Sequence, residues 1–193
     1  MQCIILCGGL GSRLNNKYSK IPKCLIKFDK KNYLDLLIDS LKKNSINNFV
    51  FLVNHKAELV EKFLKKRKDI DYKILKDKKY TGTGGAIINH LDFLENEFLV
   101  IMGDIYCDFN FKKFISFSKK KSADITLACH ANSHPFDSDT VEYKSNCSIK
   151  KIILKNKNVL KENNALSGIF YFKKKIMKNF KLKKKQIDLV KDI

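Results

Sequence analysis

Cys3-Ile4-Ile5-Leu6-Cys7-Gly8-Gly9-Leu10-Gly11-Ser12-Arg13-Leu14, with Pro22-Lys23 shortly after it, decides the reading of this chain. An apolar run of strand length delivers the backbone into glycines, then an arginine, and a lysine follows. Glycines at 8, 9 and 11 allow positive φ and leave no Cβ between backbone and ligand. Amides of such a loop can converge on an anion, as they do at helix N-termini. Arg13 adds a planar fork of donors for phosphate oxygens, and Lys23 adds a mobile point charge. A Walker A loop would need Gly-Lys-Ser/Thr, whereas Gly11 leads into Ser12-Arg13. The dinucleotide fingerprint would need a glycine where Leu14 stands. Taken alone, the stretch can also be a plain glycine turn after a strand, with Arg13 in solvent.

The chain of 193 residues is long enough to bury a substantial core as one domain. Its residues are 44% hydrophobic, without a run that would span a bilayer. Met1-Gln2 leads directly into the apolar strand, without the basic, apolar and small-residue order of a signal peptide, so a cytoplasmic protein is expected. The six cysteines at 3, 7, 24, 107, 129 and 147 form no CxxC pair, and free thiols packed as small hydrophobes are expected. The net charge of +19 comes from 39 basic and 20 acidic residues, and almost all of the excess is lysine. Runs such as Lys65-Lys66-Arg67-Lys68 and Lys183-Lys184-Lys185 are scattered, which suits solvated surface better than a dedicated nucleic-acid site. The positive field would still draw nucleotides and phosphorylated sugars.

Beyond the opening, strand-like and helix-like patterns alternate. Leu34, Leu37, Ile38 and Leu41 share a helical face, and Phe49 to Val53 reads as a buried strand. Leu59, Val60, Phe63 and Leu64 form a second stripe before a strand through Tyr72 to Leu75. Ile87, Ile88 and Leu91 mark a third helix before the strand Phe98 to Met102. The expectation is an α/β fold, a Rossmann-like three-layer α/β/α sandwich around a mostly parallel mixed sheet. Such sheets bind ligands at the carboxyl ends of their strands. The glycine loop occupies one such end and Gly103-Asp104 another. Magnesium takes oxygen ligands and bridges one or two carboxylates to phosphates, so Asp104 is the metal candidate, with Asp108 a weaker neighbour. The competing reading makes Asp104 a cap for a helix near Phe111, Phe114 and Ile115. Gly82-Thr83-Gly84-Gly85-Ala86, placed between the third strand and third helix, would let a flat base approach the backbone, or would start a helix.

In order and spacing, Leu6 to Leu14, Pro22-Lys23, Gly82 to Ala86 and Gly103-Asp104 resemble the nucleotidyltransferases that join a nucleoside triphosphate to a sugar 1-phosphate. The resemblance covers most of the chain. It implies that Leu6, Gly8, Gly9, Gly11, Ser12 and Arg13 hold the nucleotide and that Gly82, Gly84 and Gly85 contact its base. Asp77 stands where guanylyl-transferring members often carry a glutamate. Arg13, Lys23 and Asp104 are then the catalytic residues, with Mg2+ as cofactor at Asp104. A phosphate oxygen of the sugar attacks the α-phosphorus and pyrophosphate leaves, so no serine, cysteine or histidine nucleophile is required and catalysis is alignment plus charge neutralisation.

The segment His130 to Asp139 is similar to a loop of the branch acting on heptose 1-phosphate, which includes members fused to a phosphatase domain. This implies GTP as donor and surface polysaccharide as destination, with a fused or partner phosphatase and a homo-oligomer both compatible. His130 and His134 lack the helix and cysteine partners of a zinc site. His134 and Asp137 of this loop, with Glu142, Asn164 and Gly168, are the sugar-binding candidates; turn or surface positions are the plainer reading of each. Two departures stand out. Only Lys155 matches the family's glutamate-lysine-proline stretch near Ile149 to Leu154. The family also continues past an Ile-Asp-Leu-Val-Lys-Asp-like segment to a second metal-binding aspartate, whereas here Asp188 and Asp192 precede that place and the sequence stops at Ile193. A single nucleotidyltransferase domain over residues 1–193, complete or lacking its C-terminal segment, is therefore expected. A catalytically weak nucleotide-binding module is the alternative, as are mannose or glucose 1-phosphate and CTP or UTP for the substrates.

Overall fold

The computed structural model describes residues 1–11, 18, 20–131, 138–155, 164–178, 180 and 185–192. In chain order its elements begin with β1 (Gln2–Leu6), β2 (Lys27–Phe28), β3 (Lys31–Asn32), α1 (Tyr33–Lys43), β4 (Asn48–Val53), α2 (Ala57–Leu64) and β5 (Asp71–Lys76). They continue with α3 (Gly82–Asn89), β6 (Glu97–Met102), α4 (Phe111–Lys120), β7 (Ile125–Ala131), β8 (Thr140–Tyr143), β9 (Ile149–Ile153), β10 (Asn164–Lys173) and α5 (Lys174–Met177).

The opening apolar run becomes the middle of the sheet. β1 pairs in parallel with β4 on one side and β6 on the other, and β5 extends the parallel half beyond β4. A strand flanked and covered on both sides needs apolar residues facing both ways, which is why residues 3–6 show no alternation. Cys3 and Ile5 pack towards α1, α2 and α4, while Ile4 packs towards α3 and α5. The two apolar clusters are the two interlayer cores of an α/β/α sandwich.

The other half of the sheet is antiparallel. β10 runs against β6, and the full order is β5-β4-β1-β6-β10-β8-β9, with β7 pairing β10. The length of β10 lets it serve several partners: residues 169–173 pair β6, and Ala165 pairs Thr140 of β8. β7 runs along β10 with a shift between Leu166 and Phe170. Gly168, at φ +77°, sits in that irregularity. The mixed, parallel-centred sheet expected from the sequence is therefore present.

Local signals explain the helices. The Asn32 side chain accepts the Asp35 amide at 2.8 Å and starts α1. Leu34, Leu37, Ile38 and Leu41 are all buried on its inner face. Arg67 fastens α1 to the turn after α2, reaching Asp35 and Asp39 at 2.9 Å and Asp69 at 2.8 Å. Hydrogen bonds from Arg67 and then Lys42 hold the Asp69 carboxyl well below the ordinary range. At Asp39, burial opposes the charge, but Lys31 and Arg67 outweigh it and depress the carboxyl.

One boundary differs from the sequence reading. Of the two readings of Gly82 to Ala86, the helix start holds, since the segment is the first turn of α3, whereas Leu91 falls outside that helix in a 3-10 turn (Leu91–Phe93). A glycine-rich helix start is poor in intrinsic propensity. Contacts from residues far along the chain compensate for it, as described below. Among the described residues no helix is long and apolar enough to cross a membrane.

Candidate active site

At the end of β1 the Cys7 amide donates to Leu52 O at 2.8 Å, adding one rung to the β1–β4 ladder before the chain turns. Gly8 then passes so close to Asn54 that a Cβ would lie 3.2 Å from its Cβ and amide nitrogen. At the end of β6 the Gly103 amide donates to Leu6 O at 3.0 Å. A Cβ there would lie 2.9 Å from both Cys7 Sγ and Leu6 O, so only glycine lets the two strand ends cross and deliver Asp104 beside the loop.

These turns and the start of α3 enclose a cavity of about 310 Å3 at the carboxyl edge of the parallel strands. Leu6, Gly8, Gly9, Gly11, Asp77 and Gly82 line it, together with Lys23 and Asp104. Lys23 opens a 3-10 turn (Lys23–Leu25) behind Pro22, and the buried Cys24 anchors that turn. Lys23 Nζ lies 3.7 Å from Asp104 Oδ2. The Asp104 side chain is 41% exposed, so this pair is solvated and open to exchange for a ligand. Asp104 does not cap the following helix: Asn110 does, accepting the Lys113 amide at 2.9 Å. Cys7 and Cys24 both line the cavity floor. Their mutual hydrogen bond, then burial, then the charge of Asp104 push the Cys7 thiol upward, so it stays protonated.

The far wall is built around Asp77 and Thr81. Thr81 Oγ1 donates to Asp77 Oδ2 at 2.6 Å, and Asn89 Nδ2 donates to Asp77 Oδ1 at 3.1 Å. His90 Nε2 lies 3.1 Å from the same Oδ1. The segment 185–192 returns here. The Ile187 amide donates to Thr81 O at 2.8 Å, while Ile187 O accepts the Gly84 and Gly85 amides at 2.9 and 3.2 Å. Thr83 Oγ1 accepts the Leu189 amide at 2.8 Å. Gly82, at φ +83°, would place a Cβ 2.3 Å from Ile187 O. Gly84 and Gly85 are therefore buried behind the cavity wall, with their amides already bonded.

Of the acceptor candidates, Gly168 lies against Met102 of the cavity wall, where a Cβ would come within 3.0 Å of Met102 Cγ. Glu142 instead pairs with Lys150 across β8 and β9, and Asn164 opens β10 opposite Ala131; neither lines the cavity. Ser12, Arg13, His134 and Asp137 lie outside the described residues. Asp188 accepts the Val190 and Lys191 amides at 3.0 and 3.1 Å, and Asp192 accepts the Asp188 amide at 2.9 Å. Among the described residues no group of three or more histidine, cysteine or acidic side chains is placed to hold a metal. Asp104 alone, a hard oxygen donor on an open rim, fits magnesium, which completes its shell with water and substrate phosphates. Asn54, Thr81 and Ile187 were missed by sequence reasoning; Thr81, four residues after Asp77, carried the only local signal.

Comparison with known proteins agrees with this geometry. The model of the nucleotidyl transferase family matches residues 2–193, and the chain belongs to that family. It is 38% identical over 114 residues to the D-glycero-alpha-D-manno-heptose 1-phosphate guanylyltransferase of Campylobacter jejuni, covering 58% of this chain and 52% of the relative. The mannose-1-phosphate guanylyltransferase catalytic subunit beta of Xenopus tropicalis is 26% identical over 97% of this chain and 54% of its own length. The chain thus spans about half the length of the curated relatives it matches. HddC from Yersinia pseudotuberculosis, solved in complex with GMP-PN, superposes with a TM-score of 0.84 at 24% identity, over 100% of this chain and 84% of that one.

Proposed function

We propose that this chain transfers the guanylyl group of GTP to a heptose 1-phosphate with release of pyrophosphate, in the cytoplasm, for a surface polysaccharide precursor. Residues 1–193 are read as one nucleotidyltransferase domain. The observation that carries the reading is the Lys23–Asp104 pair, 3.7 Å apart, on the rim of a cavity walled by two glycine turns. The donor base is supported by the names of the Campylobacter and Xenopus relatives, and the heptose acceptor by that of the Campylobacter relative alone of the two.

In this reading Gly8, Gly9 and Gly11 bring the backbone against the phosphates, and Tyr80 to Gly82 form the wall beside the base. Lys23, released from Asp104, and Arg13 neutralise the charge that builds on the α-phosphate and the departing pyrophosphate. Both cations act by position, since the attacking phosphate oxygen of the sugar is already ionised. Asp104 would hold magnesium, which supplies charge neutralisation between carboxylate and phosphates. Pyrophosphate release should be measured with magnesium, each of the four nucleoside triphosphates and a panel of sugar 1-phosphates. Turnover should be highest with GTP and a heptose 1-phosphate. Triphosphate binding without turnover on any pair would favour a nucleotide-binding module, and turnover with another pair would reassign the substrates.

A further inference from the structure

We infer that Asp77 is a positioning residue that shapes the nucleotide cavity through Thr81, instead of reading the base with its carboxylate. The inference rests on the nucleotide reading of the cavity and concerns how its far wall is held. Asp77 follows β5 at the cavity edge, yet its side chain is only 8% exposed. Its two oxygens accept two hydrogen bonds, from Thr81 Oγ1 at 2.6 Å and Asn89 Nδ2 at 3.1 Å, and His90 Nε2 lies 3.1 Å from Oδ1 without bonding it. The Asp77 backbone is held as well, since its carbonyl accepts Asn54 Nδ2 at 3.0 Å, the same asparagine that abuts Gly8.

A buried carboxylate is costly unless its oxygens are bonded, and these are bonded from within the protein. Turning one oxygen towards a guanine would break its bond to Thr81 or to Asn89. Thr81 is the hinge of the arrangement. Its hydroxyl is fixed by Asp77, its carbonyl accepts the Ile187 amide, and the Ile187 carbonyl in turn closes the first turn of α3 at Gly84 and Gly85. The carboxylate thereby sets where Tyr80 to Thr83 stand against a ligand, whatever base that ligand carries. Base selection then falls to the backbone and side chains of that turn.

The test compares wild type, Asp77→Asn and the exchange Asp77→Asn/Asn89→Asp, which moves the carboxylate across the same hydrogen bond. KM should be measured for GTP and for the poorer triphosphates, alongside hydrogen exchange at the Gly84, Gly85, Ile187 and Leu189 amides. Positioning predicts that Asp77→Asn raises KM for every triphosphate by a similar factor, on the order of tenfold for one charge-assisted bond. It also predicts faster exchange at those four amides, with both effects reversed in the exchange variant. A loss confined to GTP, with exchange unchanged and no recovery in the double variant, would overturn the inference. If wild type binds no triphosphate, the proposed function fails, and the exchange rates alone decide whether Asp77 organises this wall.

Discussion

The two halves of the sheet are built differently and do different work. In the parallel half, β5-β4-β1-β6, the inner strands β4, β1 and β6 are buried on both faces while β5 forms the edge, and the strand ends converge on the cavity. In the antiparallel half, β9 carries mostly exposed residues, β8 meets β10 at one described pair, and β10 must break register at Gly168 to reach both neighbours. A buried floor therefore lies under the glycine-loop end of the cavity, and a more exposed apron extends from it. The sugar-binding candidates Glu142, Asn164 and Gly168 lie on the apron, and the described nucleotide candidates lie at the strand ends of the floor, from Leu6 to Gly11, and on the wall around α3. Chemistry that depends on alignment to fractions of an ångström belongs on rigid elements.

That contrast can be broken first by stability. Phe51→Ala, at a fully buried position of β4, should cost about 3–5 kcal/mol by urea denaturation. Ile149→Ala on β9, where the side chain is 43% exposed, should stay within about 0.5 kcal/mol. Equal losses would erase the distinction between floor and apron. Activity sharpens it next. Asp104→Asn should lower turnover by about 10²- to 10³-fold, the range for removing one charge-stabilising group. Its urea midpoint should not move, because Asp104 is solvated and caps nothing. An unaffected rate would sink the metal assignment.

Gly82→Ala comes third. Backbone strain at φ +83° should cost about 1–3 kcal/mol. Collision with Ile187 O should detach the 185–192 segment, seen as faster exchange at the Leu189 amide. The smallest effect belongs to the Arg67 cluster. Asp39 and Asp69 have depressed carboxyls, so their contribution is present above about pH 4 and lost as pH falls through their folded values. Arg67→Met should lower the urea midpoint at pH 7, and the gap to wild type should close in acid. A gap as wide at pH 2 as at pH 7 would assign Arg67 a packing role instead.

Much of the floor was legible because strand burial and glycine turns are local signals. Residues 3–6, 49–53 and 98–102 are apolar because they are covered on both faces, and Gly103-Asp104 marks a strand end by adjacency alone. The wall around α3 was not legible. Ile187 acts there through its backbone, more than one hundred residues from Thr81, so no side-chain pattern records it. Asp77 was legible as a candidate base contact but not as a carboxylate already bonded, because its partner Asn89 lies at the far end of the helix. On the apron, Glu142 was legible only as a sugar-binding candidate or a surface position, and its pairing with Lys150 became visible only through the β8–β9 register.

The central claim is that a nucleoside triphosphate seats on the parallel floor. Amide chemical-shift mapping during titration with magnesium GTP tests it most directly. The account predicts saturable shifts at Gly8, Gly9, Tyr80 to Thr83 and Asp104, with little change along Lys144 to Lys151. Shifts centred on β8, β9 or the lysine-rich surface, with Gly8 and Gly82 unmoved, would contradict it.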